Sequence, residues 1–161
     1  MNTFIEIYAD HYGTMFRVAQ KMLGNSDDAS DVVQEVFVYL LDRLNNGSEV
    51  RHPKSWLYRA TTNKCCDNLK NQKRFQNLES ARDIKNEEEI QEVQDIKGAI
   101  QFVLSKLNPQ EKALAILYSE GLSYKELAET TGIRLTSVGK MLSRTLKKLE
   151  KEFKNQQYEL Y

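Results

Sequence analysis

Turn-forming and cross-linking residues are scarce in this chain of 161 residues. Seven glycines and two prolines leave little material for tight turns, so a helical protein is expected. Cys65 and Cys66 are the two cysteines; being adjacent, they cannot build a disulfide framework. No apolar run approaches the roughly 20 residues of a membrane span. The mixed stretch 1–10 does not resemble a signal peptide, so we expect a cytoplasmic protein.

The net charge is zero, but the charges are unevenly distributed along the chain. Residues 1–50 carry three basic and eight acidic groups, and residues 51–76 carry seven and one. Residues 77–96 carry two basic and seven acidic groups, and residues 97–161 carry eleven and seven. Such alternating blocks indicate either separate surfaces for separate partners or ordinary solvated faces.

Apolar side chains recur at three- and four-residue steps along most of the chain, which is the period of helices with one buried face. No β-type alternation is present, so the fold class is predicted to be all-α, with two small helical domains. Residues 1–75 form the first domain, with three helices. An acidic linker, 76–97, connects it to a second domain of about four helices, 98–161. Each domain has a modest core, so its stability alone should be marginal.

Local signals mark several helix ends. Gly24 ends the first helix, and Ser26 offers a cap for the second. Pro53 suits the first turn of the third helix. In the second domain, Ser123 and Glu126 have the spacing of a capping box.

Residues 122–149 have the spacing of a helix-turn-helix. Ala128 is small where one helix crosses the other closely. Gly132, four residues later, permits the left-handed conformation that the turn requires. Val138 buries the start of the second helix. An ordinary helical hairpin is the alternative.

The second helix of this motif is strongly basic, with seven basic and two acidic groups between Arg134 and Lys154. Lys140, Arg144 and Lys147 are four and three residues apart and share one face. Such a helix suits the major groove and neighbouring phosphates of duplex DNA. The candidate duplex contacts are Arg134, Thr136, Ser137, Lys140, Arg144 and Lys147. Ser137 is equally suited to capping the helix.

The third helix combines basic and aromatic side chains, a pattern that suits unpaired bases because these need stacking and phosphate neutralisation together. The candidate contacts are Trp56, Tyr58, Arg59, Asn63, Lys70, Lys73 and Arg74. The alternative is that Trp56 belongs to the core and the lysines serve solubility.

The second helix carries carboxylates at steps of three, four and seven, namely Asp28, Asp31, Glu35 and Asp42. They form either a solvated face or a dock for a basic protein surface. No histidine accompanies them, so no metal site is predicted.

Enzyme motifs are lacking in the sequence. His11 and His52 stand far apart, without a nucleophile motif, a phosphate-binding glycine loop or zinc-ligand spacing. We therefore expect no catalysis, no cofactor and no small-molecule substrate. The cysteine pair is either idle or redox-sensing.

Three segments, in this order, resemble a bacterial RNA polymerase sigma factor of the extracytoplasmic-function group. The segment SDDASDVVQEVFVYLL resembles the helix with which this family binds core polymerase. The segment HPKSWLYRATTNKCCDNLKNQKR resembles the helix with which the family reads the minus-ten element of the promoter. The module that binds the minus-thirty-five element resembles residues 107–149. The resemblance covers nearly the whole chain. It implies polymerase contacts at Asp28, Asp31, Gln34 and Glu35.

The resemblance implies a promoter reader whose partners are core RNA polymerase, promoter DNA and an anti-sigma factor, which is often membrane-bound in this family. The third helix would capture minus-ten bases with help from the loop 45–51, and the last helix would bind the minus-thirty-five element. Two positions depart from the family pattern. Lys70 stands where arginine is common and lacks its planar fork. Gly139 stands in the recognition helix where a basic residue is frequent.

The rival hypothesis is a stand-alone helix-turn-helix regulator whose N-terminal domain is a sensor or a dimerisation unit. Such a regulator needs duplex DNA alone, whereas a sigma factor needs polymerase for specific initiation. A gel shift with and without core enzyme separates the two.

Overall fold

The computed structural model describes residues 3–79 and 96–160, with side chains for 3–76 and 96–156. Within these ranges it contains seven helices and no strand, as the all-α prediction requires. The helices are α1 (Phe4–Leu23), α2 (Ser26–Asn45), α3 (Pro53–Glu79), α4 (Ile96–Ser105), α5 (Pro109–Ser119), α6 (Tyr124–Thr131) and α7 (Leu135–Leu160). No helix in the described part of the chain is both long enough and apolar enough to cross a membrane.

The helices reach into both ends of the predicted linker 76–97. Helix α3 continues to Glu79, four residues beyond the end expected for the first domain, and α4 already begins at Ile96. The rest of the linker, 80–95, lies outside the described residues. Polar residues with good helix propensity allow α3 to continue after its buried face has ended.

The caps of the first unit follow the sequence signals, with one correction. Gly24 ends α1 in the left-handed conformation, with φ of 76°, and its N–H donates to the Gln20 carbonyl. The N-cap of α2 is Asn25 and not Ser26: the Asn25 side chain accepts the Asp28 N–H at 2.9 Å. Asn and Ser cap helices about equally well, so neighbouring residues of these types leave the first residue of the helix undecided.

The caps of the second unit are as predicted. The Ser123 hydroxyl accepts the Glu126 N–H at 3.1 Å, and Glu126 Oε1 accepts the Ser123 N–H at 2.9 Å. Gly132 ends α6 with φ of 79°. The capping box fixes the start of α6, and the left-handed Gly132 turns the chain from α6 into α7, as a helix-turn-helix requires.

One apolar core runs through both units. Helix α1 packs against α2, α3 and α5, and α3 packs against α5 and α6. The continuous cluster includes Met15, Val18, Met22, Leu57 and Cys65 from the first unit and Leu114, Leu117, Leu127, Val138 and Leu142 from the second. Each large apolar side chain buried here contributes about 1.5–3 kcal/mol. Because the core is shared, each unit stabilises the other.

An ionic cluster closes the junction between the units. Glu120, at the end of α5, has a side chain that is 6% exposed and contacts two cations of α1. Arg17 Nε lies 3.1 Å from each carboxylate oxygen, and Lys21 Nζ lies 3.5 Å from Oε2. The hydrogen bonds from Arg17, followed by charge attraction, lower the pKa of the Glu120 carboxyl.

A buried lysine makes a second polar link between the units. Lys112 of α5 is 7% exposed, and its Nζ donates to the Met22 carbonyl at 2.8 Å. That carbonyl lies in the last turn of α1, where unpaired carbonyls carry partial negative charge. Burial lowers the pKa of the Lys112 ammonium. The Lys112 ammonium therefore provides the hydrogen bond that water would otherwise donate to the Met22 carbonyl, which is buried where the two units pack together.

Both cysteines lie in or beside this core. Cys65 is fully buried, and burial raises the pKa of its thiol to about 12. Cys66 is half-buried, and its Sγ lies 3.9 Å from the Pro109 carbonyl. Burial raises the pKa of Cys66 as well. Thiolates are the reactive species, so neither position favours rapid thiol chemistry.

We expect the Cys66→Ser variant, whose one cysteine is Cys65, to resist labelling by a thiol-reactive disulfide reagent at pH 8. The same variant should react at once in denaturant, because unfolding removes the burial that raises the thiol pKa. Absorbance of the released thiolate measures both rates. Rapid labelling of the folded variant would show that Cys65 is accessible and that the shared core opens easily.

Candidate nucleic-acid interface

Helix α7 presents the cationic face that its sequence predicted. Arg134, Thr136, Lys140, Arg144 and Lys147 are all exposed. Two other basic side chains of α7 are neutralised: Lys148 pairs with Glu111 at 3.2 Å, and Lys154 pairs with Glu150 at 3.3 Å. Among the described residues, Lys140, Arg144 and Lys147 take part in no ion pair. Their ammonium and guanidinium groups are therefore available to phosphates.

The start of α7 excludes one of the two interpretations of Ser137. The helix begins at Leu135, so Ser137 is its third residue and not its cap. The Ser137 N–H donates to the Arg134 carbonyl at 2.8 Å, and the side chain is half-buried. The residue therefore lies within the first turn, where its role as a base contact remains a prediction.

Gly139 lies close to a side chain of α6, which the sequence did not reveal. A Cβ at this position would lie 3.3 Å from Cε2 of Tyr124, the first residue of α6. A side chain here would require the Tyr124 ring, which is 48% exposed, to shift by a few tenths of an ångström. Packing between α6 and α7 therefore favours a small residue at this position.

Helix α3 carries the second basic face. Arg59, Asn63, Lys70, Lys73 and Arg74 are exposed, as predicted. Trp56 is half-buried and packs against the shared core with part of its ring. The two interpretations of Trp56 are therefore compatible, because the side chain packs against the core and is still partly exposed.

Tyr58 requires a correction. It was predicted to lie on the DNA-binding face, but it is 5% exposed and belongs to the shared core. Burial, with a contribution from the nearby Glu120 carboxylate, raises the pKa of its hydroxyl. The ring faces the junction because Tyr58 lies one residue before Arg59, about 100° around the helix. In this packed arrangement it is unavailable to DNA.

Two residues of α2 join the α3 surface, and the sequence analysis missed both. Tyr39 is 65% exposed, and its ring stacks on Trp56 with centroids 6.5 Å apart and an angle of 26°. Arg43 lies over the same indole, 5.9 Å from its centroid. An aromatic residue on the polar side of an amphipathic helix is the signal that would have revealed Tyr39.

The acidic side chains of α2 are not equivalent. Asp28 is half-buried; its Oδ2 accepts from Asn25 at 3.0 Å and from Gln72 at 3.4 Å. Glu35 pairs with Lys64 at 2.9 Å. Asp31 is exposed and has no ion pair or hydrogen bond among the described residues.

Gln34, the remaining docking candidate of α2, is also exposed, and its Nε2 donates to the Ser30 hydroxyl at 3.3 Å. No group of three metal-ligand side chains occurs within the described parts of the chain.

Two protein-family models match this chain, one in each of its two units. Residues 7–75 match the family model of Sigma-70 region 2, and residues 97–149 match that of Sigma-70, region 4. The first match contains α2 and the basic face of α3. The second contains the helix-turn-helix and the exposed cations of α7.

Two relatives of this chain are RNA polymerase sigma factors. RNA polymerase sigma factor SigV of Bacillus subtilis is 31% identical over 145 residues, covering 86% of this chain and 83% of SigV. ECF RNA polymerase sigma factor SigE of Mycolicibacterium smegmatis is 28% identical over 152 residues; the match covers 89% of this chain and 59% of SigE.

The fold is similar to sigma factor RpoE of Bartonella quintana, solved in complex with the anti-sigma factor NepR. The TM-score is 0.64 at 18% identity, covering 88% of this chain and 91% of RpoE. With both regions matched in order and relatives similar over most of its length, the chain belongs to the RNA polymerase sigma factors of the extracytoplasmic-function group.

Proposed function

We propose that this chain acts in the cytoplasm as an alternative sigma factor that brings core RNA polymerase to a specific set of promoters. Its role is binding and positioning, and the polymerase supplies the chemistry. One observation carries the proposal: a single chain exposes an acidic face on α2, a basic aromatic face on α3 and a cationic helix-turn-helix. A stand-alone regulator needs only the last of these.

The minus-thirty-five element is assigned to α7. Lys140, Arg144 and Lys147 have no intramolecular ion pair in the described residues and lie along the recognition helix. Each phosphate neutralised by such a group releases counterions, which makes the affinity strongly dependent on salt. Thr136 and Ser137 in the first turn are near enough to the start of the helix to approach base edges.

The minus-ten element is assigned to α3. Arg59 and Asn63 are exposed about one and two helical turns beyond Trp56, and Lys70 is exposed about two turns further along α3. Groups for phosphate neutralisation and for base stacking therefore occur along one helix. Capturing a base that has left the duplex costs a few kcal/mol of unstacking, which aromatic stacking and hydrogen bonds offset. Lys73 and Arg74 extend the positive charge towards the end of the helix.

Reading both elements together requires the two units to separate. The element names imply about 25 base pairs between their centres, or about 85 Å of duplex. A compact chain of this length has a radius of gyration of about 15 Å and is only about 40 Å across. The shared core and the Glu120 cluster therefore stabilise a packed form of the chain, and the two units of this form must separate on the promoter.

An anti-sigma factor is the third proposed partner. The similar RpoE structure is a complex with such a factor, NepR. A protein that binds both packed units would oppose their separation, because a ligand stabilises the conformation that it prefers. Co-purification from cells of the source organism under non-inducing conditions tests this proposal.

Transcription with purified components tests the central proposal. Core polymerase lacking any sigma factor is combined with this chain on a library of promoter fragments, and the initiated transcripts are sequenced. Specific start sites that depend on the chain are expected. Duplex binding without polymerase, together with no start sites in its presence, would favour the stand-alone regulator instead.

We expect Arg144→Ala to weaken binding of the full chain to minus-thirty-five duplex and to reduce the salt dependence by about one unit of slope, because one phosphate contact is lost. Fluorescence anisotropy over a series of salt concentrations measures the slope. Lys97→Ala is the matched control, since Lys97 is an exposed cation on α4. An unchanged slope would remove Arg144 from the DNA contacts.

A further inference from the structure

A cleft at the junction of the two units is lined by residues of both. Its volume is about 600 Å³, within the range of about 300–1,000 Å³ that is usual for small-ligand sites. The lining residues that matter here are Thr62, Cys66, Asp67 and Lys70 of α3 and Pro109 of α5. Because its walls belong to different units, the complete cleft exists only in the packed form of the chain.

The cleft contains a buried polar group without a partner and, one helical turn away, a thiol. Thr62 is 2% exposed, and its hydroxyl makes no hydrogen bond to any described residue. A buried hydroxyl without a hydrogen bond is destabilising, so Thr62 favours a polar occupant of the cleft. The Cys66 thiol donates to the Pro109 carbonyl across the junction at 3.9 Å. A nucleophilic sulfur therefore lies beside a hydroxyl that lacks a partner.

Two opposite charges complete the cleft. Asp67 and Lys70 are exposed, and neither takes part in an ion pair within the described residues. Both act on the Cys66 thiol: burial raises its pKa, the Lys70 ammonium opposes this rise, and the Asp67 carboxylate adds to it. Residues three apart lie on the same side of a helix. A ligand that carries one ammonium and one carboxylate group complements this pair, because each charge meets its opposite.

We propose that the cleft is a modification site for small zwitterionic disulfides derived from amino acids, with Cys66 as the attached residue and Asp67 and Lys70 as the groups that select the zwitterion. The Cys66 thiolate attacks one sulfur of the small disulfide. That S–S bond breaks, a new S–S bond forms to Cys66, and the released thiolate takes up the proton that Cys66 has lost. One disulfide is consumed and one is formed, so no further oxidant is required.

The modification would oppose initiation, a consequence that rests on the proposed promoter function. An adduct that contacts both units stabilises the packed form, whose units must separate on the promoter. It also covers Asn63 and Lys70, which are assigned to the minus-ten element. Cytoplasmic thiols are normally kept reduced, so the adduct would accumulate when small disulfides do and would link initiation to oxidation of the cell.

Four symmetrical disulfides test the chemistry of the cleft: zwitterionic cystine, cationic cystamine, anionic dithiodipropionate and neutral hydroxyethyl disulfide. Each is brought to equilibrium with the folded chain and an equal concentration of its own thiol, because burial of Cys66 makes exchange slow. Intact-mass spectrometry gives the ratio of modified to unmodified chain. The reference is the Cys65→Ala chain in urea, where Cys66 is the one thiol and the cleft does not exist.

Relative to this reference, the folded chain should prefer cystine over each of the other disulfides by at least about threefold, since two exposed ion pairs are individually weak. Cys66→Ser should remain unmodified, because Cys65 is fully buried. Equal ratios for the four disulfides, preference for one of the other three, or modification of Cys66→Ser would overturn the proposal. So would a folded chain that forms no adduct.

Variants at the two charges test the selecting groups. Asp67→Asn and Lys70→Gln should each remove most of the preference for cystine, and circular dichroism verifies that both variants fold. Lys73→Gln is the matched control, since Lys73 is an exposed cation of α3 outside the cleft. An equal loss of preference in Lys70→Gln and Lys73→Gln, or no loss in either, would contradict the assignment of Lys70.

Initiation with core polymerase is measured separately, with purified unmodified and cystine-modified chain. The modified chain should initiate less, a reductant should restore its activity, and the same treatment should not affect Cys66→Ser. Unchanged initiation by the modified chain would overturn the regulatory role. No initiation by the unmodified chain would count against the sigma function and not against this modification site.

Discussion

Asp31→Lys is expected to lower the affinity of the chain for core RNA polymerase by at least about tenfold. Among the three carboxylates predicted to bind polymerase, Asp28 is engaged by Asn25 and Gln72, and Glu35 pairs with Lys64. Asp31 alone of these three is exposed without a described partner. Reversing its charge replaces an attraction to a basic surface by a repulsion, and like charges facing each other across an interface cost several kcal/mol.

Co-purification and surface-based binding with core polymerase measure this effect. Asp10→Lys introduces the same change of charge at an exposed position of α1 and should bind normally. Binding of Asp31→Lys to minus-thirty-five duplex should also be unchanged, because that surface is on α7. Normal polymerase capture by Asp31→Lys would contradict the assignment of α2 as the docking helix.

Glu120→Lys is expected to separate the two units. The new ammonium would face Arg17 and Lys21 at a position where the native side chain is 6% exposed. Loss of the ion pairs together with the new repulsion should disfavour the packed form by about 3 kcal/mol, a shift of more than about 100-fold in the equilibrium. Arg17 is half exposed, so solvent screening keeps the effect below that of a fully buried pair.

Small-angle scattering measures the separation as a rise in the radius of gyration above the roughly 15 Å of a compact chain. Glu129→Lys, at an exposed position of α6, is the matched control. If the packed form must open on the promoter, Glu120→Lys should retain transcription with core polymerase. An unchanged radius would show that the apolar core holds the units together without the ionic cluster.

The Glu120→Gln variant tests the same ion pairs through the pH dependence of the free energy of unfolding. The carboxyl has a lowered pKa in the folded chain, so its stabilising contribution is present above the ordinary value of 4.5 and is lost as the pH falls below it. Urea unfolding from pH 6 down to pH 3 should therefore show a smaller loss of stability for Glu120→Gln than for the unchanged chain.

Elements governed by neighbouring residues were predictable. Gly24, Gly132 and the Ser123–Glu126 capping box needed only local hydrogen bonds and the conformational freedom of glycine. The end of α3 and the cap of α2 were misplaced by a few residues, because several residue types there are nearly equivalent in energy. The cationic face of α7 was predictable as well, since helical spacing alone puts its members on one side.

Contacts between distant segments were not predictable in the same way. The burial of Tyr58 depends on α1 and α5 lying against α3, and the ion pair of Arg17 joins residues 103 positions apart. Tyr39 belongs in sequence to α2, the helix predicted to dock polymerase, but in space it stacks on Trp56 of the basic aromatic surface. Periodicity identifies which side of a helix is polar, but not which other helix lies beside it.

By itself, the amino-acid sequence determined that the chain is helical, that it has an acidic, a basic aromatic and a cationic segment, and which family it resembles. These properties follow from spacing, charge and capping, which act over one or two helical turns. Only the tertiary structure decided that the two units share a core, that Glu120 and Lys112 tie them together, and that both units line the cleft beside Cys66. Those features arise from packing between residues far apart in the chain, where burial and desolvation, and not helical period, set the energy.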